Sequence, residues 1–376
     1  MPVSFEFQRC GVRAAFALAS SALACRSLPL DSETNVSHGG GGHGGAPDAP
    51  VLEQRVMDRT IISSDASSEQ HQRASARIDF GDALVESATL RVELESPCFP
   101  FDRWSLDDIP EGHAWPSRCD AFDRTLEVSL DNPDATGTDT PGLELARAIT
   151  PFGGPLSLEI DVTDAVNGLP GAHELRVVIP TYGDPDGLVS GEKGEWLVSV
   201  TLERTPGTPP RRVLAVQPLA YGSFTEAAPP ARAFAVPEGT RSARIDYVTT
   251  GHGAGSEFGC RGPAEEFCRR THTLSLDAGE VARFDPWRSD CASLCTIEHF
   301  ESELLNIDYC RENPCGAPES VRAPRANWCP GSRTFPFVLE HGALLEPGTH
   351  EFAWSASGIA EGGSFLVSAV YYAFDR

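Results

Sequence analysis

Short stretches of alternating apolar and polar residues, separated by Pro, Gly and Asp, run along the chain from about residue 76. Alternation with a period of two is typical of β-strands with one buried face, and these separating residues favour turns. The pattern predicts an all-β protein. The clearest stretches are SARIDF, ATLRVELE, TLEVSL, LSLEIDV, HELRVVI and WLVSVTLE, followed by ARAFAV, ARIDYVTT, HTLSLD, FPFVLE, HEFAWSA and FLVSAVYYAF.

The strand series is interrupted by RTPGTPPRR at 204–212, which indicates a linker between two domains. The predicted domains are therefore 76–205 and 211–376, each an antiparallel β-sandwich. A chain of 376 residues is long enough for two cores of ordinary size. The best helical period is found in IEHFESELLNI at 297–307.

The first residues are typical of an export signal. Arg9 and Arg13 precede an apolar run of about eleven residues, and the small residues of ALA stand before Cys25. We therefore predict a signal peptide at 1–24 and an exported protein, which would be secreted, periplasmic or attached to a bacterial outer membrane. A cysteine directly after the cleavage site also indicates a lipoprotein. The residue order in ALAC departs from the usual lipoprotein order, so lipidation of Cys25 stays open.

Residues 25–75 are predicted to be a flexible linker, which includes the Gly-rich tether VSHGGGGHGGAPDAP at 36–50. A transmembrane helix needs roughly 18 or more consecutive apolar residues. No stretch after the signal has that character, so we expect no transmembrane helix.

The net charge argues against a nucleic-acid partner, and the cysteine content argues against a metal site. The formal net charge is −24, from 30 basic and 54 acidic residues, and such a surface repels nucleic acid. The chain has eleven cysteines, which in an exported protein indicate disulfides rather than metal ligands.

Two similar strings each place an Asp-Arg pair shortly after a cysteine: CFPFDR at 98–103 and CDAFDR at 119–124. The second runs directly into the strand pattern TLEVSL, whereas the first runs into a stretch typical of a loop. A reacting group is best positioned by a rigid element. We therefore select Asp123 over Asp102 as the candidate catalytic carboxylate.

The string CDAFDR, with the strand that follows it, resembles the bacterial peptide-N-glycosidase F amidases, which cleave N-glycans from asparagine. The resemblance implies two jelly-roll domains packed side by side, with the active site at their interface. It also implies hydrolysis of the amide between Asn and the first GlcNAc of N-glycosylated peptides or proteins, without a cofactor. We expect a monomer. Further motifs of that family follow in the same order: AITPFGG at 148–154, LEIDVTD at 158–164, EFCRRTHT at 266–273, CRENP at 310–314 and RANWCPG at 325–331.

The resemblance places the family's essential aspartate at Asp123, where a carboxylate can orient and deprotonate a water molecule. It places a second acid at Glu266, which would bind substrate hydroxyls or polarise the amide. Glu265 is the alternative for this second acid, because the loop between Cys260 and Cys268 is longer here than in the family.

Other residues would bind the substrate. Arg124 and Arg325 would hold sugar or carbonyl oxygens through their guanidinium donors. Tyr182 stands where the family has a tryptophan against the sugar, and His252 roughly matches a family histidine. Trp328 is a further candidate, although it could also be a packing residue.

The resemblance also implies three disulfides, the first of which would fix the CDAFDR turn. Cys291, Cys295 and Cys315 then remain, and one of them is left over or pairs with Cys25. The implied pairs are Cys98–Cys119, Cys260–Cys268 and Cys310–Cys329.

One departure from the family pattern leaves alternatives to catalysis. The family's third site acid aligns with Pro180, which cannot replace a carboxylate, although Asp184 or Asp186 could reach back from the following loop. A chain without this acid could be a glycan-binding relative that has lost catalysis. A copper monooxygenase of the same paired fold is a further alternative. It would need grouped histidines and a methionine thioether, but the ten histidines are never adjacent or one residue apart.

Overall fold

The computed structural model describes residues 50–101, 109–131, 142–253, 260, 264–301 and 306–376. The predicted signal peptide, Cys25 and the Gly-rich tether up to residue 49 lie outside the described residues. No helix within the described ranges is long and apolar enough to cross a membrane.

The first half of the described chain forms eight strands and one short helix, α1 (Thr163–Gly168). The strands are β1 (Leu52–Ser63), β2 (Arg73–Asp79), β3 (Val85–Glu95), β4 (Thr125–Leu130), β5 (Leu143–Ile149), β6 (Leu156–Asp161), β7 (Ala172–Val178) and β8 (Glu195–Pro206).

The second half forms eleven strands within the described ranges, with a second short helix, α2 (Pro318–Val321). Three single turns of 3₁₀ helix lie at Glu265–Phe267, Cys291–Leu294 and Gly342–Leu345. The strands are β9 (Val213–Phe224), β10 (Arg232–Val236), β11 (Ser242–Gly253), β12 (His272–Leu276), β13 (Gly279–Phe284), β14 (Ile297–Glu301), β15 (Asn306–Cys310), β16 (Ser332–Thr334), β17 (Phe337–Leu339), β18 (Gly348–Ala356) and β19 (Gly363–Phe374).

The N-terminal sandwich consists of two antiparallel sheets around one apolar core. One sheet has the strand order β1-β8-β3-β6 and the other has the order β16-β5-β4-β7-β2. The alternation in β3 explains the arrangement, because Leu90, Val92 and Leu94 are buried while the residues between them face outward. The fold class predicted from the alternation is confirmed.

The C-terminal sandwich has the strand orders β10-β18-β12-β13 and β17-β11-β19-β9. Its central strand β19 is buried on both faces, which explains why FLVSAVYYAF is almost continuously apolar. Tyr371 belongs to the C-terminal core, whereas Tyr372 and Phe374 belong to the N-terminal core. The two sandwiches therefore share an apolar interface along β19.

One strand crosses between the halves. β16 follows the C-terminal strands in sequence, but it pairs antiparallel with β5 at the edge of an N-terminal sheet, with Ser332 opposite Ile149 and Thr334 opposite Arg147. The N-terminal sheet thus contains a strand from the C-terminal half.

Two segments differ from what the sequence pattern indicates. β1 and the first three residues of β2 lie within the predicted linker 25–75, where β1 pairs with β8 and β2 with β7. The segment with the best helical period, 297–307, is not helical in its described part, which belongs to the paired strands β14 and β15, with Ile297 opposite Cys310. The domain limits of 76–205 and 211–376 stay predictions.

The cysteines form four disulfides within the described ranges. Cys98–Cys119 and Cys260–Cys268 occur as the resemblance implies, but the implied pairing of Cys310 with Cys329 is wrong. The pairing of β14 with β15 explains the difference, since it places Cys310 opposite Ile297 and so close to Cys295, two residues before β14. The bridges are Cys98–Cys119, Cys260–Cys268, Cys291–Cys329 and Cys295–Cys310.

Candidate active site

The CDAFDR turn is held in place on both sides. The Cys98–Cys119 disulfide anchors its first residue. At the other end, the backbone N–H of Arg124 donates to the Thr150 hydroxyl at 2.8 Å, and the Thr150 N–H donates back to the Arg124 carbonyl at 2.8 Å. Asp123 therefore stands at the entrance to β4 on a fixed backbone.

The Arg124 guanidinium is fixed by a buried acid and two aromatic rings. Asp120 accepts two hydrogen bonds from it, at 2.9 and 3.0 Å, and a third from the indole N–H of Trp196 at 3.3 Å. The rings of Phe122 and Tyr182 lie 5.2 and 5.0 Å from the guanidinium carbon. The sequence analysis missed Asp120, although its position directly after a bridging cysteine was a usable signal.

Tyr182 belongs to a loop that runs beside this turn. The N–H of Gly191 donates to the Cys119 carbonyl, and the N–H of Ala121 donates to the Ser190 hydroxyl, at 2.8 and 3.0 Å. The Tyr182 side chain is 60 % exposed. A ring that is fixed on one side by Arg124 and open on the other can bind a flat apolar surface of a ligand.

The C-terminal half contributes Glu266 and Arg325. Arg325 is 1 % exposed, and it donates to a Glu266 carboxylate oxygen at 3.2 Å and to the carbonyl and hydroxyl of Ser320 at 2.7 and 3.1 Å. The rings of Phe267 and Trp328 lie 4.7 and 4.6 Å from its guanidinium carbon. Arg325 is thereby held in one orientation.

The pKa values show that residues of the two halves share one electrostatic environment. Burial raises the pKa of Asp123 to about 6, against the lowering effect of the charges on Arg325 and Arg124. Burial likewise raises the pKa of Glu266 to about 7, while Arg325 lowers it and the charge on Asp123 adds to the increase. Asp123 and Glu266 thus lie close enough for their charges to interact, with Arg325 acting on both.

His252 lies next to this cluster on β11. Its ring stacks on Trp328 with a centroid distance of 5.7 Å and an interplanar angle of 21°. The Trp328 indole N–H donates to the Gly251 carbonyl at 2.9 Å, and a Cβ on Gly251 would lie 2.8 Å from the Ala326 side chain. Glycine is needed there for the close approach of β11 to the segment carrying Arg325.

Two candidate acids do not face the cluster. Glu265 is fully buried, and its carboxylate accepts from Arg270 at 2.9 and 3.2 Å and from the Ala360 N–H at 2.7 Å, which favours Glu266 over Glu265 as the second acid. Asp184 accepts from the backbone N–H groups of Leu188 and Val189, both at 2.8 Å. Its carboxylate is therefore engaged by the backbone of its own loop.

Three sulfur atoms lie close together at the start of the CDAFDR turn. The sulfurs of Cys98, Cys119 and Cys315 lie within 4.8 Å of one another. Metal binding needs thiolates, and two of these sulfurs are joined in a disulfide. The group is therefore not a metal site as it stands.

Sequence comparison finds similarity to known proteins. A family profile described as "Peptide-N-glycosidase F, C terminal" matches residues 220–371. The peptide-N(4)-(N-acetyl-beta-D-glucosaminyl)asparagine amidase F of Elizabethkingia miricola is 28% identical over 306 residues, which is 75% of each chain. The chain is thus similar to a peptide-N-glycosidase F amidase over most of its length, and its C-terminal half matches the profile of that family.

Solved structures of the peptide-N-glycosidase F family share the fold. A recombinant peptide:N-glycanase F superposes with a TM-score of 0.63 at 19% identity, over 87% of this chain and 96% of that chain. The PNGase F of Flavobacterium meningosepticum, described as a glycosylasparaginase, gives a TM-score of 0.61 at 18% identity, over 87% of this chain and 97% of its own. At this identity the superposition establishes the architecture alone.

Proposed function

We propose that the protein hydrolyses the amide between asparagine and the first GlcNAc of N-linked glycopeptides and glycoproteins, which leaves aspartate on the peptide. The observation that carries this proposal is the electrostatic coupling of Asp123 and Glu266 through Arg325 at the junction of the two halves. Two acids whose pKa values are raised towards neutrality can act as a base and an acid under the same conditions.

In the proposed mechanism, Asp123 acts in its ionised form. Its carboxylate takes a proton from a water molecule as the water oxygen attacks the amide carbon. Arg124 is directed by Asp120 and Tyr182, and it would hold the substrate near the attacked carbon.

Glu266 acts in its protonated form. The carboxylic acid donates a hydrogen bond to the amide oxygen, or the proton itself to the departing nitrogen, as the C–N bond breaks. The departing group is a glycosylamine. Arg325 keeps the pKa of Glu266 from rising further, and it presents a fixed positive charge to the oxygen that becomes negative.

The substrate sugar would lie between the aromatic residues. The exposed face of Tyr182 is suited to stacking on a sugar ring, and His252 and Trp328 would contact it from the C-terminal side. The export signal predicted for residues 1–24 is consistent with a substrate found outside the cytoplasm. Lipidation at Cys25 and the monomeric state stay predictions.

One experiment separates this function from its alternatives. The mature protein is incubated with a denatured glycoprotein, and mass spectrometry follows the released glycan and the conversion of Asn to Asp. Release with conversion supports the amidase. Glycan binding without release supports the non-catalytic alternative, which rests on Pro180. Copper that co-purifies in stoichiometric amount would favour the monooxygenase.

The pH dependence of release tests the two acids together. We expect kcat/KM to rise as the pH passes about 6, where Asp123 loses its proton, and to fall above about 7, where Glu266 loses its own. The two apparent pKa values belong to the coupled pair. Glu266→Gln should remove the alkaline decrease, because an amide donates a hydrogen bond at any pH. An unchanged alkaline limb in Glu266→Gln would show that another group causes it.

Replacing Pro180 tests whether the absence of a third acid limits activity. A carboxylate at this position could accept a charged hydrogen bond from a sugar hydroxyl, whereas proline accepts none through its side chain and lacks a backbone donor. We expect activity about ten- to a hundredfold below that of a family member with the acid. Pro180→Glu should therefore increase release, measured at subsaturating substrate.

Asp184→Ala is the matched control for Pro180. The Asp184 carboxylate accepts hydrogen bonds from the backbone of its own loop. We therefore expect Asp184→Ala to loosen this loop without removing a hydrogen bond to the sugar. A folded Pro180→Glu variant without any gain, together with loss of release in Asp184→Ala, would contradict this assignment.

A further inference from the structure

A buried arginine joins the two sandwiches behind the candidate active site. Arg147 on β5 is 1 % exposed, and it forms a double hydrogen bond with Glu144 at 2.8 and 2.9 Å. The same guanidinium also reaches the C-terminal half, where it donates to the Leu366 carbonyl and, at 3.3 Å, to the hydroxyl of Thr250. Arginine has donors only, so the direction of these bonds is fixed.

The Thr250 hydroxyl connects Arg147 to His252 by hydrogen bonds. The hydroxyl oxygen accepts from Arg147 and lies 2.7 Å from Nε2 of His252. Because the oxygen already accepts from Arg147, the arrangement favours donation of the single hydroxyl proton to His252 Nε2, the other described group within hydrogen-bond distance. With Nε2 as the acceptor, the proton of a neutral ring is on Nδ1.

The His252 ring is neutral at ordinary pH. Burial, together with the positive charge of Arg147, lowers its pKa to about 3. A neutral imidazole has one donor and one acceptor, and the bond made by one nitrogen sets the tautomer of the other.

The second ring nitrogen, Nδ1 of His252, has no hydrogen-bond partner among the residues that the structure describes. The ring stacks on Trp328, and Trp328 in turn contacts the Arg325 guanidinium. The Nδ1–H group therefore lies beside the cluster that contains Arg325 and Glu266.

We propose that Arg147 and Thr250 are positioning residues that hold His252 as its Nδ1–H tautomer, so that this N–H donates to an oxygen of the substrate sugar. The identity of the acceptor rests on the proposed amidase function, whereas the tautomer does not. Because Arg147 belongs to β5 and His252 to β11, correct docking of the two sandwiches is a condition for the donor to form.

Nuclear magnetic resonance of protein labelled with ¹⁵N-histidine tests the tautomer without any substrate. The signals of His252 are assigned by their loss in His252→Gln. In the wild-type protein we expect the proton on Nδ1 and a bare Nε2. Thr250→Val keeps the shape of the side chain but removes the hydroxyl, so it should shift the population towards the Nε2–H tautomer. Thr250→Ser keeps the hydroxyl and should keep the wild-type signals.

Two outcomes would overturn the proposal. One is a wild-type His252 with its proton on Nε2, a result that needs no variant to fold. The other is a folded Thr250→Val protein in which the tautomer is the same as in the wild type.

Kinetic measurements test whether the His252 donor contacts the substrate sugar. If the donor contacts the sugar, KM for a glycopeptide should be about three- to tenfold higher in Thr250→Val than in Thr250→Ser, with a smaller difference in kcat. Equal KM values in the two variants would contradict the sugar contact. An inactive wild-type protein with the Nδ1–H tautomer would refute the amidase and leave the positioning role intact. An active protein with the Nε2–H tautomer would support the amidase and refute the positioning role.

Discussion

Replacing Asp123 by Asn should lower kcat/KM for glycan release by roughly 10²- to 10⁴-fold, the range that general bases contribute to enzymatic rates. Asparagine has nearly the same shape as aspartate, and the neighbouring Arg124 is held by Asp120 and not by Asp123. The fold should therefore survive while the proton acceptor is lost. Release of glycan from a glycopeptide is the measurement, and thermal unfolding checks the fold.

Asp102→Asn is the matched control, because it changes the same residue in the similar string CFPFDR. Asp102 itself lies outside the described residues, but its neighbour Phe101 packs against Phe300 and Tyr309 of the β14–β15 hairpin. This string thus contributes to the contact between the halves, and we expect Asp102→Asn to retain most of the activity. A comparable loss in both folded variants would remove Asp123 as the base.

Replacing Arg325 by Ala should affect both stability and chemistry. The change leaves Glu266 without its charge partner and empties the space between Phe267 and Trp328. Removing one partner of a buried ion pair costs about 3–5 kcal/mol in the free energy of unfolding. Since Arg325 lowers the pKa values of both Asp123 and Glu266, its loss should raise them further. The acidic limb of the pH profile should then move to higher pH.

Arg325→Lys separates the charge from the hydrogen bonds. Lysine keeps a positive charge but cannot bond Glu266 and Ser320 at once in the geometry of the guanidinium fork. We expect the acidic limb to stay near its wild-type position and the stability to fall by a smaller amount. Denaturant unfolding and pH–rate profiles measure the two effects. If the acidic limb moves equally in both variants, the charge of Arg325 does not control Asp123.

The strands could be predicted from the sequence wherever one face of a sheet is buried. β3 shows why, because its buried and outward residues alternate from Ala88 to Glu95. The hairpin at 297–310 could not be predicted in this way. Its spacing of apolar residues fits a helix as well as a strand, and the pairing of Ile297 with Cys310 depends on contacts across the hairpin. The bridge Cys295–Cys310 follows from that pairing, so cysteine spacing alone could not reveal it.

The site residues likewise include some that the sequence indicates and others that only the fold reveals. Asp123 and Glu266 stand in motifs that the sequence displays, and the structure brings them into one electrostatic environment. Arg147 and Thr250 have no such signal, because each owes its role to a partner from the other half of the chain. Neither a sequence motif nor hydrophobic periodicity indicates such a partner. The preference for Glu266 over Glu265 has the same cause, since only the fold shows that Arg270 occupies the Glu265 carboxylate.

The pairing of β16 with β5 has a consequence for the order of events during synthesis. Ribosomes release a chain from its N-terminus, so β5 emerges long before Ser332–Thr334 exist to pair with it. Until then the nascent N-terminal sheet has an open edge, which can recruit strands from other chains. A truncated gene that ends in the 207–212 connection would make this exposure permanent. We therefore expect the isolated N-terminal half to aggregate when expressed alone, and a co-expressed fragment carrying β16 to reduce that aggregation.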